Sequence, residues 1–417
     1  MKVAIIGSGI SGMGAAYLLN PHHEVTLFES SSQMGGHSRT LNIDVDGENV
    51  DVDTGFIVFN KQNYPHLTAL FERLNVPIAE SNMSFGVNID NGKFEYGTRK
   101  KIDIFAQKTN LLRPPFWQML LDILRFNKQA GMYLERPNSF TVGDMLKQLG
   151  VHQLFSDYYL CAMGAAIWST PSMDILNFPA NTLVRFFDNH GLLSINDHPQ
   201  WYTVKGGSQV YVDKIKQSLG NRVKTNCSII KIERHVNQVT VTDDSGTTHL
   251  FDSVVLACHS DQALELLSDA SNDERAVLGQ IAYQPNRVVL HSDTSFMPCR
   301  RQAWSSWNYL GSSTQEDKSI SLTYWMNNLQ PLGVDKPVLV TLNPGHEPMT
   351  HKVYNQTTLH HPVFNQQAIQ AQAKLPSIQG QRNTWFCGAW TRYGFHEDGL
   401  FSSVNVAKSM GATIPWQ

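Results

Sequence analysis

Apolar positions along the chain gather in short runs between glycine-rich turns, and the first of these runs is the most regular. "VAIIG" (3–7) is an unbroken apolar stretch of the kind carried by a strand buried on both faces. Gly7-Ser8-Gly9-Ile10-Ser11-Gly12 follows, and then "MGAAYLL", which predicts a helix. "HEVTLFES" (23–30) predicts a second strand that ends at Glu29. Strand, G-x-G-x-x-G turn, helix and strand in this order predict the opening unit of a dinucleotide-binding sheet. Gly7 permits the tight turn, Gly9 lets the backbone approach a diphosphate, and Gly12 lets the helix pack against the strand. The helix start, with Ser11 in its first turn, offers unpaired N–H groups to the anion. Glu29 lies 22 residues after Gly7, where an acid bonds the adenosine ribose and repels a 2′-phosphate.

Later runs extend the pattern. "VDVDTGFIVFN" (50–60) alternates like a strand and meets a turn at Gly55; Asp53 reads either as turn chemistry or as a cofactor contact. "NYPHLTALFERLNV" predicts a helix from near Pro65. Residues 99–129 carry apolar and aromatic positions at helical spacing after Pro115. Gly206-Gly207 precedes an amphipathic helix within 201–215. Residues 223–258 predict three short strands, with a turn at Asp243–Gly246, ending in "DSVVLAC". Residues 319–332 and 337–344 predict further strands, with "WSSWNYL" before them. Trp304, Trp307, Tyr309, Tyr324, Trp325 and Met326 make that region either an aromatic core or the wall of an apolar pocket. The final segment, 383–410, reads as strand, Gly388, loop, and a helix opened by Gly399.

Composition narrows the class. With 417 residues, 41% hydrophobic and 17% charged, the chain can bury a core and has room for two domains. A net charge of −3 argues against a nucleic-acid partner. The charge is uneven: 99–129 holds seven Lys/Arg against two Asp, so the remainder carries −8. That basic stretch reads either as the solvated face of a helical domain or as a surface resting on anionic lipid, with Phe116, Trp117 and leucines beside it. Five cysteines without a C-x-x-C pair suggest a reduced, cytoplasmic setting. The glycines and single Lys2 of the N-terminus make a signal peptide a poor reading, and no apolar run reaches 18 residues. Sixteen histidines show no metal-ligand spacing, so no metal is expected.

A second glycine pair, Gly35-Gly36 in "SSQMGGHSRT" (31–40), decides between dinucleotides, because the longer FAD meets more backbone than NAD. Here the chain resembles the amine-oxidase-like flavoproteins, whose second motif reads G-G-R-x-x-[ST]. His37 stands in the arginine slot; Ser38 follows, and Arg39 reads either as taking over the phosphate contact or as a solvated loop arginine. Gly55 matches the family's Asp-x-Gly near the flavin ring. The resemblance further implies that the last helix points its N-terminus at the flavin, with Gly388 and Gly399 close to it and the Leu400 amide as donor. In "GFHEDGLFSS" (394–403), His396, Glu397 and Asp398 would then sit at or behind the reacting end. His396 and His37 are the candidates for moving a proton near pH 7, against a plainer reading as packing histidines; Glu397 is a third catalytic candidate, against a solvated one, and Asp398 alternatively caps the helix.

Taken with "VDTGFIVFN", "SWNYL", "TYWMNNLQ", "VTLNP" and "HHPVF", these motifs are similar to a subgroup related to the N-terminal half of plant cyclopropane-fatty-acid synthases. That likeness implies a fatty-acyl or phospholipid substrate that is desaturated or reduced. Two departures weaken amine oxidation: the only lysine of 285–330 is Lys318, in the polar "TQEDKS", and Ala389 replaces an acid after Gly388. The expectation is an α/β chain with a Rossmann-like FAD-binding domain plus a mixed sheet-and-helix substrate domain, an amine-oxidase or p-hydroxybenzoate-hydroxylase-like two-domain fold. Residues 1–75, 201–284 and 375–417 form the first domain; 76–200 and 285–374 form the second. FAD is bound non-covalently, and the flavin exchanges a hydride with the substrate at N5. The alternatives are an oxidase of a small amine and a non-catalytic flavin-binding partner subunit. The setting is cytoplasmic, with peripheral contact to the inner membrane face through 99–129; the oligomeric state stays open.

Overall fold

The run at Val3–Ile6 lies at the middle of a five-stranded sheet in the computed structural model, which describes residues 1–168, 170–194, 199–313 and 321–417. The strand order is Val223–Lys224, Glu24–Phe28, Lys2–Ile6, Ser253–Leu256, Thr384–Phe386, and every pairing is parallel. A parallel sheet is covered on both faces, which is why its strands read as continuous apolar runs. Val3 and Ile5 pack on one side with Met13, Val212 and Val404, from the helices Ile10–Leu19, Gln209–Leu219 and His396–Ser409. Ala4 and Ile6 pack on the other with Ile232 and Val241 of a three-stranded antiparallel sheet and with Ala263.

The strand-to-helix turn obeys the glycine pattern. Gly7 has φ 98°, and a Cβ built on Gly12 would lie 1.8 Å from the Gly7 carbonyl oxygen. No side chain other than hydrogen fits where helix and strand approach this closely.

The other half is a seven-stranded mixed sheet, ordered Val353–Pro362, Tyr283–His291, Leu339–Leu342, Ser321–Trp325, Trp307–Gly311, Phe85–Ile89, Phe94–Gly97. Only the pairing of Trp307–Gly311 with Phe85–Ile89 is parallel; it joins two distant parts of the chain. The helices Pro114–Gln129, Val142–Leu149, Cys161–Trp168 and Ala180–Asn189 share one apolar cluster with this sheet through Phe116, Met145, Ala165 and Phe187.

Two sequence expectations change and one holds. Residues 223–258 carry five strands rather than three, because the chain leaves the parallel sheet after Lys224, runs an antiparallel meander, and re-enters at Ser253 after the single link residue Asp252. The helical spacing expected after Pro115 is the helix Pro114–Gln129, where the fixed proline φ suits a helix start; two 3₁₀ segments, Lys101–Phe105 and Lys108–Leu112, precede it. The strand expected in 319–332 closes at Trp325 and turns into the short helix Met326–Leu329; Ser319 and Ile320 lie outside the described residues. Among the described residues, no helix is long and apolar enough to cross a membrane.

Candidate functional site

One continuous cavity of about 1270 Å³ runs from the first glycine turn to the apolar floor of the mixed sheet. Gly7, Ser8, Gly9, Ile10 and Ser11 line one end. The helix Ile10–Leu19 has Gly9 as its N-cap with no side-chain cap and no acid in its first turn, so its leading N–H groups remain available to an anion. A Cβ on Gly9 would meet no atom within 4 Å: the position borders open space. The second glycine motif lies directly on the first, since a Cβ on Gly36 would fall 3.0 Å from the Gly9 Cα. Gly55 closes the same corner, with its would-be Cβ 2.1 Å from the His37 carbonyl oxygen. The Glu29 carboxylate accepts from the Ser8 N–H (3.0 Å), the Ser8 hydroxyl (2.6 Å) and the Ser31 N–H (2.8 Å), which fixes it beside the turn. An uncapped helix start, glycine walls and an anchored acid at the strand end fit the diphosphate and ribose of FAD.

Gly388 also lines the cavity, its N–H held by Ser402 Oγ at 2.9 Å. Gly12 and Gly35 shape the backbone from outside the cavity. Gly35 has φ 127°, and a Cβ there would lie 2.5 Å from the Ser38 carbonyl oxygen.

Several other expected site residues turn away. Arg39 does not reach the cavity: its guanidinium donates to Thr54 Oγ1 (2.8 Å) and Asn355 Oδ1 (3.0 Å), tying the two halves together. Ser38 is buried and bonded to the Tyr211 hydroxyl and His396 Nε2. Leu400 is not the donor at the helix start, because the last helix begins at His396, not at Gly399. The Gly399 N–H already donates to the Phe395 carbonyl (3.1 Å), and Leu400 is core, next to Gly14. Gly399 instead admits the first helix: its would-be Cβ lies 2.8 Å from both Ile10 Cγ2 and Ser11 Oγ. Lys318 lies outside the described residues.

The crowded "GFHEDG" segment resolves into three different tasks. His396 lines the cavity with its ring stacked on Phe56 at 3.9 Å, and its Nε2 is bonded to the Tyr211 hydroxyl at 2.6 Å. Burial and nearby His37 pull its pKa down to about 3, so the ring stands neutral at pH 7. Glu397 points away from the cavity and accepts the N–H groups of His66 (3.0 Å) and Leu67 (2.9 Å), capping the helix Pro65–Arg73. Burial raises its pKa to about 7. Asp398 caps its own helix through the N–H groups of Phe395 and Tyr393, with Arg392 at 3.5 Å; burial raises it to about 6. Asp53 likewise accepts from Ser208, Thr40 and Gln330 outside the cavity, and burial raises it to about 6.

His37 does line the cavity, with burial and His259 lowering its pKa to about 4. Sequence reasoning missed its neighbours His259, His360 and His361, which line the same cavity; "HHPVF" was legible only as a motif. It also missed Tyr211, the partner of His396, and the helix Cys161–Trp168, whose Met163 and Trp168 reach the apolar end. Of the aromatic set, Trp307 and Tyr324 line the cavity. Tyr309 and Met326 pack in the core, while Trp304 and Trp325 form a separate cluster with Met297 and Leu339.

Residues 10–349 match the family model of flavin-containing amine oxidoreductases. An L-amino-acid oxidase of Bothrops pauloensis is 22% identical over 347 residues, covering 80% of this chain and 66% of its own length. The chain thus spans just under two thirds of that relative. Among solved structures, a fatty acid isomerase from P. acnes that produces CLA superposes with a TM-score of 0.72 at 15% identity, covering 98% of both chains. A cyclohexylamine oxidase from Brevibacterium oxydans IH-35A gives 0.70 at 15% identity, covering 98% of this chain and 99% of that one.

Proposed function

The chain belongs to the flavin-containing amine oxidoreductases, and from that premise we propose that it is an FAD-dependent oxidoreductase whose substrate is a fatty-acyl or phospholipid-like chain that is desaturated or reduced. When bound, FAD supplies hydride exchange at its N5. The N–H groups at the start of the helix Ile10–Leu19 hold the diphosphate, Glu29 the ribose, and Gly36, Gly55 and Gly388 let backbone approach the cofactor without a covalent link. His396, neutral and braced by Tyr211 and Phe56, orients the cavity wall rather than carrying a proton. We assign the cofactor half to 1–75, 201–284 and 375–417 and the substrate half to 76–200 and 285–374.

The observation that carries the substrate reading is the lining away from the glycine turn. Met83, Ile123, Met163, Trp168, Phe186 and Trp307 form it. Among the described lining residues, Glu29 and Glu265 are the carboxylates and there is no arginine. An amino acid would bring a carboxylate and an ammonium into this space, and burying either without a partner is costly. An alkyl chain brings neither and excludes water from the reacting bond. Lys100 and Lys101 line the cavity and are exposed, which suits an anionic head at the rim. Beside them Leu112 is 86% exposed, Leu121 59% and Trp117 44%, an apolar and basic surface of the kind that rests on anionic lipid at the inner face of a membrane. The shared fold with a fatty acid isomerase and the likeness to the cyclopropane-fatty-acid-synthase subgroup support the same class.

A second reading, oxidation of a small amine, is favoured by the amino-acid and amine oxidases among its relatives. Anaerobic mixing separates the two. Bleaching of the oxidised flavin's visible band by saturated or methyl-branched phospholipids, or its return when the reduced enzyme meets unsaturated ones, supports the first. Bleaching by cyclohexylamine or putrescine alone, with peroxide released in air, replaces it with the second. Retained FAD that responds to no substrate favours a non-catalytic partner subunit.

A further inference from the structure

Arginine is the usual fork for a diphosphate, yet no arginine is among the described residues lining this cavity, and Arg39 is committed to Thr54 and Asn355. Histidines take that side instead. His37 follows Gly36, which lies against Gly9 at the helix start. The His361 ring stands edge-on to His37 at 5.2 Å, and His361 Nδ1 is bonded to the Asn286 amide at 2.8 Å. His259 comes from the opposite flank, after Ala257 and Cys258, which border Gly7; its ring stacks on Tyr283 at 4.2 Å and lies 6.3 Å from His360. His37 Nε2 is buried without a hydrogen-bond partner, a donor or acceptor lacking an occupant.

We propose that His37, His259, His360 and His361 form the cationic seat of the FAD diphosphate, and that seating the cofactor draws a proton from solution onto this cluster. The proton leaves the buffer and binds an imidazole nitrogen; no bond of the cofactor changes. Without an anion, burial and nearby imidazoles hold His37 near 4 and His361 near 3, and burial lowers His259 as well. Two phosphate charges reverse that preference. The groups facing His37 are His360 and His361 from one strand, His259 with Asp261 from the start of the helix Ser260–Leu266, and His396 from the last helix. The backbone of His360 favours its protonation, as Asp261 favours that of His259. Tyr283 faces His259, and Glu29 and Glu265 are the carboxylates of the lining.

The inference rests on FAD being the cofactor, and calorimetry of the apoprotein with FAD tests it without turnover. At pH 6.5, titration in two buffers of different ionisation heat should show uptake of about one proton per FAD. Kd should rise by up to about tenfold per pH unit above that. His37→Gln should weaken binding at pH 6.5 by about tenfold and flatten the slope; His361→Gln serves if circular dichroism shows the first variant unfolded. Equal heats in both buffers with tight, pH-independent binding would overturn the histidine seat and leave the cofactor assignment standing. Failure to bind FAD at any pH would overturn both.

Discussion

Glu397 shows how far a side chain's task depends on its partners. Its two acceptor bonds reach residues 66 and 67, so it holds the start of a distant helix. Its folded pKa, about 7, exceeds the ordinary 4.5. The folded state therefore binds the proton more tightly than the unfolded one, and this contribution is full below 4.5 and lost as pH rises through 7. Glu397→Gln keeps a neutral acceptor but cannot ionise. Denaturant unfolding should show the variant less stable than wild type at pH 5, with the gap narrowing by about 2–3 kcal/mol at pH 8. Local chemistry was legible here in Asp398, a carboxylate three residues past the cap, which does cap its own helix. Glu397 was not legible, because its partners are 331 and 330 residues away.

Helix on helix is the next scale. The first and last helices approach where Gly14 and Gly399 leave room, while Gly12 brings the first helix onto the strand turn. A methyl on Gly12 meets the Gly7 backbone oxygen, which no rotamer change relieves, whereas one on Gly399 meets the side-chain tips of Ile10 and Ser11. Gly12→Ala should lose its FAD during purification. Gly399→Ala should keep it with affinity lowered by about tenfold and a melting temperature lower by a few degrees, as modest overpacking costs about 1–3 kcal/mol. The basic, apolar surface of 99–129 makes a separate prediction. Leu112→Glu with Leu121→Glu should cut flotation with anionic liposomes by about tenfold and leave the melting temperature unchanged, since both side chains are exposed. The glycine spacing made the first helix legible, and helical spacing located the Pro114–Gln129 helix. The early start of the last helix was not legible, because Phe395 is an unusual cap and only its contacts define it.

Across the whole molecule, buried histidines set the response to acid. Burial lowers His37, His190 and His291 to about 4, and His361 and His396 to about 3. A folded pKa below the unfolded 6.5 means stability present above 6.5 and lost as pH falls toward 4. The raised carboxyls Asp53, Glu397 and Asp398 act in the opposite sense over part of that range. Five groups against three predict a net loss of stability from pH 7 to pH 5 in the apoprotein. His291 is fully buried between Thr341 Oγ1 (2.7 Å) and the Asp293 N–H (3.1 Å). His291→Gln should remove about 3 kcal/mol of the wild type's acid sensitivity, read as a shallower fall of unfolding free energy from pH 7 to pH 4. A steeper or unchanged fall would contradict this. That these histidines share one fate was not legible, since burial is a property of the assembled sheets.

The parallel sheet has a consequence for synthesis. Its central strand leaves the ribosome first, yet the neighbours on either side arrive with residues 24–28 and 253–256, and the far edge with 384–386. The helix that backs the glycine turn ends at Ser409. Until residues 384–409 are made, the nascent chain therefore exposes a sticky, half-built nucleotide fold, a natural client for chaperones. A message truncated ahead of the codons for 384–409 would lack both the edge strand and that helix, and so would yield no flavin-competent fragment.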